Sequence, residues 1–163
     1  MRFQIDQHLS APLADVESAL VDPRYLAHLG TIPELGSPEL VHSEQFADGV
    51  RQSVRYRFVG ELSGSVRRVL DPARLTWVEH STLDRRTHRS EWRIEADHYT
   101  NLLRSSGTFQ LIPVPDGTVR VAEGDVAVSF PMVGGKVAAA IVSGLRRHAE
   151  LESRVLNDWL GTS

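Results

Sequence analysis

The sequence predicts an α+β fold whose elements run strand, two short helices, six strands, one long C-terminal helix. Pro131 to Leu160 is the only stretch long and periodic enough to form one continuous helix, of about eight turns. From Pro38 to Phe130, short alternating runs are separated by turn-forming pairs such as Asp48-Gly49 and Asp116-Gly117. Two short helical segments, one opening at Ser10 and the other closing at Gly30, fall between the first strand and these hairpins.

In the first strand Phe3, Ile5, Gln7 and Leu9 alternate with Arg2, Gln4, Asp6 and His8, which gives one buried face. Ser10 suits an N-cap and Pro12 the first helical turn, and Val16, Ala19 and Leu20 share one side of a helix that Asp22-Pro23 ends. A second helix, Arg24 to Leu29, closes at Gly30. Ile32 to Ser37 is then a Pro/Gly-rich connection.

Asp48-Gly49 signals a type I′ turn, and a two-residue loop there pairs Ala47 with Val50, Gln45 with Gln52, Ser43 with Val54 and Val41 with Tyr56. That register sorts Val41, Val54, Tyr56 and Phe58 onto one face and Arg51, Arg55 and Arg57 onto the other. Gly60 to Arg74 fits either a short helix or an irregular strand. The next hairpin, centred on Arg85-Arg86, pairs Leu83 with His88, Ser81 with Ser90, Glu79 with Trp92 and Trp77 with Ile94. A last hairpin turns at Asp116-Gly117. It gathers Leu103, Ser105, Gly107, Phe109 and Leu111 on one face with Ala122, Gly124, Val126, Val128 and Phe130.

Along the final helix, Val137, Ile141, Leu145, His148, Glu152, Val155 and Trp159 fall within one sector less than about 90° wide, which is the buried stripe. Lys136, Ser143, Arg146, Glu150, Ser153, Arg154, Asn157 and Asp158 make the solvated side. Gly134 and Gly144 lie on or beside the stripe although glycine costs roughly 1 kcal/mol relative to alanine in a helix, so backbone or ligand must approach there. His148 and Glu152 lie on it too, and they need polar neighbours or a cavity.

Composition narrows the function classes. The chain is 163 residues with a net charge of −3, and its seventeen arginines and one lysine are spread along it and balanced by acids, so no nucleic-acid or anionic-membrane surface is expected. Cysteine is absent, which excludes disulfides, thiolate nucleophiles and cysteine-based zinc sites. The histidines show no tight ligand spacing, Gly134-Gly135-Lys136 lacks the spacing of a phosphate loop, and no cofactor or metal is expected. The start of the chain alternates and no run approaches ~20 apolar residues, so one soluble, cytoplasmic domain over residues 1–163 without a membrane span is expected.

This element order resembles the START/polyketide-cyclase-like (SRPBCC) superfamily. More narrowly the chain is similar to a bacterial START-like family of unknown function. The likeness rests on Arg55-Tyr56-Arg57-Phe58, Asp71-Pro72-Ala73-Arg74-Leu75-Thr76-Trp77-Val78-Glu79, Asp97-His98-Tyr99, Glu123-Gly124-Asp125 and Pro131-Met132-Val133-Gly134-Gly135-Lys136-Val137. The resemblance implies a helix-grip fold, a curved seven-stranded antiparallel sheet around the C-terminal helix, with a hydrophobic cavity between them. An acidic residue that the narrower family carries after the Lys-Val pair is replaced here by Ala138.

The hairpin registers and the helix stripe together give a provisional lining for such a cavity: Tyr56, Phe58, Trp77, Glu79, Ser81, His88, Ser90, Trp92, Phe109, Ile141, Leu145, His148 and Glu152. Glu79 is the sharpest of these, a carboxyl alternating with Trp77 on a face that otherwise excludes charge. It suits an acid, a base or an anchor for a ligand hydroxyl, or else a structural pair with a group such as His148. His148 and Glu152, one turn apart, suit a carboxylate-oriented histidine or a mutually satisfied pair.

The expected function is binding or carriage of an apolar small molecule or lipid, admitted past the Thr31 to Ser37 loop. The alternatives are a cyclase, dehydratase or hydrolase working through Glu79 or His148, and an interaction module with a filled core.

Overall fold

The computed structural model describes residues 1–161. Seven strands form one antiparallel sheet: β1 (Arg2–Leu9), β2 (Glu39–Phe46), β3 (Gly49–Arg57), β4 (Thr76–Asp84), β5 (Arg89–Ala96), β6 (Leu103–Val114) and β7 (Gly117–Val128). Their spatial order is β1-β7-β6-β5-β4-β3-β2. The first two strands in sequence are therefore opposite edges of the sheet. The chain crosses between them through α1 (Leu13–Leu20), α2 (Pro23–Gly30) and a 3-10 turn at Pro33–Leu35. A short α3 (Gly64–Arg67) and a second 3-10 turn (Pro72–Arg74) lie between β3 and β4, so the helical reading of that stretch holds. The curved sheet wraps around α4 (Gly134–Trp159), and the architecture is the α+β helix-grip fold.

β1 alternates strictly, with Phe3, Ile5, Gln7 and Leu9 buried. Ser10 is not the cap of α1. Pro12 holds that position, and the Ser10 N–H donates instead to Asn157 Oδ1 on α4 at 3.0 Å. Asp22 does cap α2, accepting from the Arg24 N–H at 2.8 Å. Asp71 caps the second 3-10 turn in the same way, through the Ala73 N–H at 2.9 Å.

All three hairpins turn elsewhere than the dipeptide signals indicate. The first pairs Phe46 with Gly49, Gln45 with Val50 and Ser43 with Gln52, so the loop is Ala47-Asp48. Neither loop residue has positive φ, so the turn is not type I′. Gly49 is needed for closeness: a Cβ there would lie 2.0 Å from the Leu83 carbonyl oxygen. The third pairs Val114 with Gly117 around Pro115-Asp116. The second pairs Asp84 with Arg89, which leaves a four-residue loop and sets Glu79 opposite Ile94 and Trp92 opposite Ser81. Each slip is two in register and leaves inward and outward faces unchanged. An irregularity between Leu40 and His42 breaks that parity and leaves Val41 exposed, not on the inner face.

α4 begins at Gly134, after a turn that holds Pro131, and its buried side is rotated from the expected stripe. Ala138, Val142 and Ala149 pack into the cluster built from β1 and β5–β7, while Val137 belongs to the cluster under α3. Ile141, Leu145 and His148 are only half-buried, and Trp159 is 39% exposed, its ring 5.4 Å from His28 and 5.6 Å from Tyr25 on α2. Ser153 and Asn157 are not simply solvated, since both bond β1 or the residue after it. The backbone of α4 approaches β1 and β7 and stands off from β3–β5. The two glycines on or beside the stripe answer to backbone: a Cβ on Gly134 would meet Val128 O at 2.4 Å, and one on Gly144 would meet Val59 O at 3.2 Å. No helix among the described residues is long and apolar enough to cross a membrane.

Candidate functional site: a cavity between sheet and helix

Where α4 stands away from the sheet there is a cavity of about 320 Å³. Its walls draw on apolar residues from three separate core clusters, so the cavity is the gap where those clusters fail to merge. Ten of the thirteen residues expected to line it do so: Tyr56, Phe58, Trp77, Glu79, Trp92, Phe109, Ile141, Leu145, His148 and Glu152. Ser81, His88 and Ser90 lie instead on a smaller neighbouring cavity of about 70 Å³. His88 is not in a strand. It sits in the β4–β5 loop with φ +55°, and its Nδ1 is 2.7 Å from Glu17 Oε2 on α1.

The aromatic wall follows from register. Tyr56 and Trp77 are cross-strand partners whose rings stack with centroids 6.3 Å apart. Trp92 lies opposite Gly107 on β6, and Gly107 pairs in turn with Gly124 on β7. A Cβ on either glycine would come within 2.7 Å of the indole, so the two glycines form the floor on which Trp92 lies. Phe109 and Phe3 flank it at 5.8 and 6.2 Å. The Trp92 Nε1 is buried with no partner among the described residues.

The polar end has a member outside the expected lining. Arg120 on β7 is the cross-strand partner of Gln7 on β1, and its Nη1 donates to Gln7 Oε1 at 3.2 Å and to Glu152 Oε2 at 3.1 Å. Gln7 Nε2 donates to the Ala149 carbonyl at 2.9 Å and to Glu152 Oε2 at 3.3 Å. The guanidinium also lies 4.1 Å over the Phe109 ring. The signal for Arg120 was present in the strand pattern, because the alternation that turns Ala122 and Val126 inward turns Arg120 inward as well. An inward arginine requires a carboxylate.

This network fixes the protonation pattern. Burial works to raise the Glu152 pKa, but Arg120, His148 and the Gln7 hydrogen bond together outweigh it and hold the carboxyl below its ordinary value. His148 is pushed down, mainly by burial, and is neutral at pH 7; its ring meets Tyr56 edge-on at 5.9 Å. The expected pairing of His148 with Glu152 or with Glu79 by hydrogen bond is not made, since Arg120 takes Glu152. Glu79 is pushed up to about 7 by burial, with Arg120 opposing and Glu152 reinforcing the shift. It has no hydrogen-bond partner among the described residues. At neutral pH it is divided between acid and carboxylate, the state in which a side chain both gives and takes protons.

The mouth is edged by Glu34 from the 3-10 turn after α2, by Arg57 to Val59, and by Arg147 of α4. Glu34 places the expected Thr31 to Ser37 connection at the cavity's edge.

Solved structures share the fold over the whole chain. A protein from Thermus thermophilus aligns with TM-score 0.66 at 18% identity, covering 100% of both chains. Zhui aromatase/cyclase from a Streptomyces species aligns with TM-score 0.60 at 16% identity, over 97% of this chain and 91% of the other. Norcoclaurine synthase from Thalictrum flavum gives TM-score 0.52 at 11% identity, over 100% of this chain and 86% of the other. No curated protein matches the sequence. Residues 4–160 match the family described as "Protein of unknown function (DUF2505)", and the chain belongs to that family.

Proposed function

We propose that the protein binds a small, predominantly apolar molecule in the cavity between α4 and the sheet, with Glu79 at the polar end as its anchor. One observation carries this reading: a cavity of about 320 Å³ walled by aromatic side chains, holding a carboxyl that has no hydrogen-bond partner among the described residues. A filled-core interaction module would have neither. A volume equal to that of roughly ten waters suits one to three fused rings and is too small for a two-chain lipid, so the lipid reading narrows to a single small molecule.

A second reading, catalysis, draws support from Glu79 itself. A carboxyl whose pKa is raised to about 7 inside a ligand-sized cavity is suited to move a proton on a bound substrate. Fold-sharing proteins named as an aromatase/cyclase and a synthase are compatible with this, but a shared fold at such identity does not carry an activity across.

Native mass spectrometry of the purified protein, followed by denaturing extraction, tests the binding reading. The expected result is a discrete small molecule released on unfolding, or saturable uptake of small apolar probes by the apo protein. A clean apo mass together with no probe uptake overturns it. Turnover of the released molecule by wild type and not by Glu79→Gln would select the catalytic reading.

A further inference from the structure

We propose that the ligand is a cation, a protonated amine on an apolar body of one or two rings, with its ammonium group set between the Glu79 carboxyl and the aromatic faces of Tyr56, Trp77 and Trp92. This rests on the binding reading above and adds the chemical class of the ligand.

Hydrogen-bond accounting comes first. The polar end of the cavity holds five groups that can carry charge: Glu79 on β4, Tyr56 on β3, Arg120 on β7, and His148 and Glu152 on α4. Arg120 and Glu152 are committed to each other and to Gln7, and the Arg120 guanidinium plane already covers Phe109. His148 is neutral. Of the two carboxyls at this end, Glu79 is left without a donor among the described residues. The protein supplies an acceptor there and no counterion.

The register then says what surrounds that carboxyl. Glu79 sits between Val54 of β3 and Ile94 of β5, and its other inward neighbours on the sheet are Trp77, Ser81, Tyr56, Gln52, Trp92 and Ala96. Three of the six are aromatic, and those three line the larger cavity with Glu79. Ring faces carry negative potential and attract an ammonium, and a carboxylate at their centre adds a full charge of the same sign. A neutral hydroxyl would use the carboxyl and gain nothing from the rings. Arg120 Nε and Trp92 Nε1 are buried donors with no partner among the described residues, but an anion reaching them would meet two carboxyls and an arginine whose charge Glu152 already matches. Arg57 and Arg147 stand at the mouth, exposed to solvent and screened from the interior, with Glu34 beside them.

Isothermal titration calorimetry with 2-phenylethylamine, 2-phenylethanol and 3-phenylpropionate tests this. All three carry one ring and a short chain, and they differ chiefly in charge. The amine is expected to bind at least tenfold more tightly than the alcohol, the acid not to compete, and Glu79→Gln to lose at least tenfold for the amine while leaving the alcohol unchanged. A second readout needs no variant. Because Glu79 is largely protonated below pH 7, amine binding at pH 6 must expel close to one proton, seen as heats that differ between buffers of low and high ionisation enthalpy, and close to none at pH 8.5. Equal affinity for amine and alcohol, or amine binding without proton release at pH 6, overturns the cation and leaves the cavity reading standing. Failure of all three probes to bind overturns both.

Discussion

Arg120 Nη1 donates to Glu152 Oε2 at 3.1 Å, and this ion pair separates the fates of two carboxyls that share one cavity. Glu152 receives the guanidinium and the Gln7 amide, and stays ionised. Glu79, across the lumen on β4, receives only the weaker field of Arg120 and is left poised between its two forms. Burial and a single arginine therefore leave one carboxyl ionised and the other poised near neutrality.

Removing that arginine should be costly. Arg120→Met leaves Glu152 buried without its counterion, so a loss of about 3–5 kcal/mol is expected in urea unfolding at pH 7. Arg120→Met combined with Glu152→Gln should recover most of it, because no isolated charge then remains. Equal losses in the single and double variants would show that packing of the arginine stem over Phe109, and not the charge, is what matters.

Glu79 should make the protein less stable as pH rises. Its carboxyl ionises near 4.5 when unfolded and near 7 when folded, so between those values the folded state binds more protons than the unfolded state. Stability attributable to this group is therefore greatest below about pH 4.5, falls through the interval and reaches its floor above pH 7. Glu79→Gln removes the dependence. The variant should match wild type at pH 4 and exceed it at pH 8 by an amount on the order of 2–3 kcal/mol, the difference of about 2.5 pKa units setting the upper limit. Unfolding midpoints measured at both pH values decide it, and a constant offset would place the carboxyl in solvent.

Faces were legible in the sequence and turns were not. The inward sets of β1, β3, β4, β5 and β7 follow from alternation, which survives a slip of two, and this is why Tyr56, Trp77, Glu79 and Trp92 reach the lumen despite displaced registers. The Asp-Gly pairs misplace the turns because Gly49 answers to a neighbouring carbonyl and not to a positive φ. His88 reads as a strand residue because nothing local reveals that its loop has four residues and is tied to Glu17 of α1. Helical periodicity finds the side of α4 that leaves water but cannot divide it into the edge packed on the sheet, at Ala138 and Ala149, and the edge facing the cavity, at Ile141 and Leu145.

The adjacent glycines that open α4 should respond in opposite directions to alanine. Gly134 is buried, and a methyl there would lie 2.4 Å from the Val128 carbonyl oxygen, so Gly134→Ala is expected to cost about 1–3 kcal/mol. Gly135 is exposed with nothing within 4 Å, and Gly135→Ala should stabilise by about 0.5–1 kcal/mol through helix propensity. Parallel denaturant melts test the pair, and similar signs for both would mean that the β7–α4 turn adapts freely.

Two residues on α4 separate filling a cavity from overpacking a core. Leu145 is half-buried because it faces the lumen, whereas Ala138, two turns away, is 5% exposed and pressed into the β1/β7 cluster. Leu145→Trp should place its ring in the lumen, keep the melting temperature within a few degrees and abolish uptake of the neutral dye N-phenyl-1-naphthylamine. Ala138→Trp finds no such space and is expected to destabilise by about 1–3 kcal/mol or more. Dye fluorescence and thermal melts on the two variants give four readings. If Leu145→Trp destabilises as strongly as Ala138→Trp, the lumen is closed in solution and α4 seats fully on the sheet; if it still binds dye with unchanged affinity, the dye lies elsewhere and the cavity is not its site.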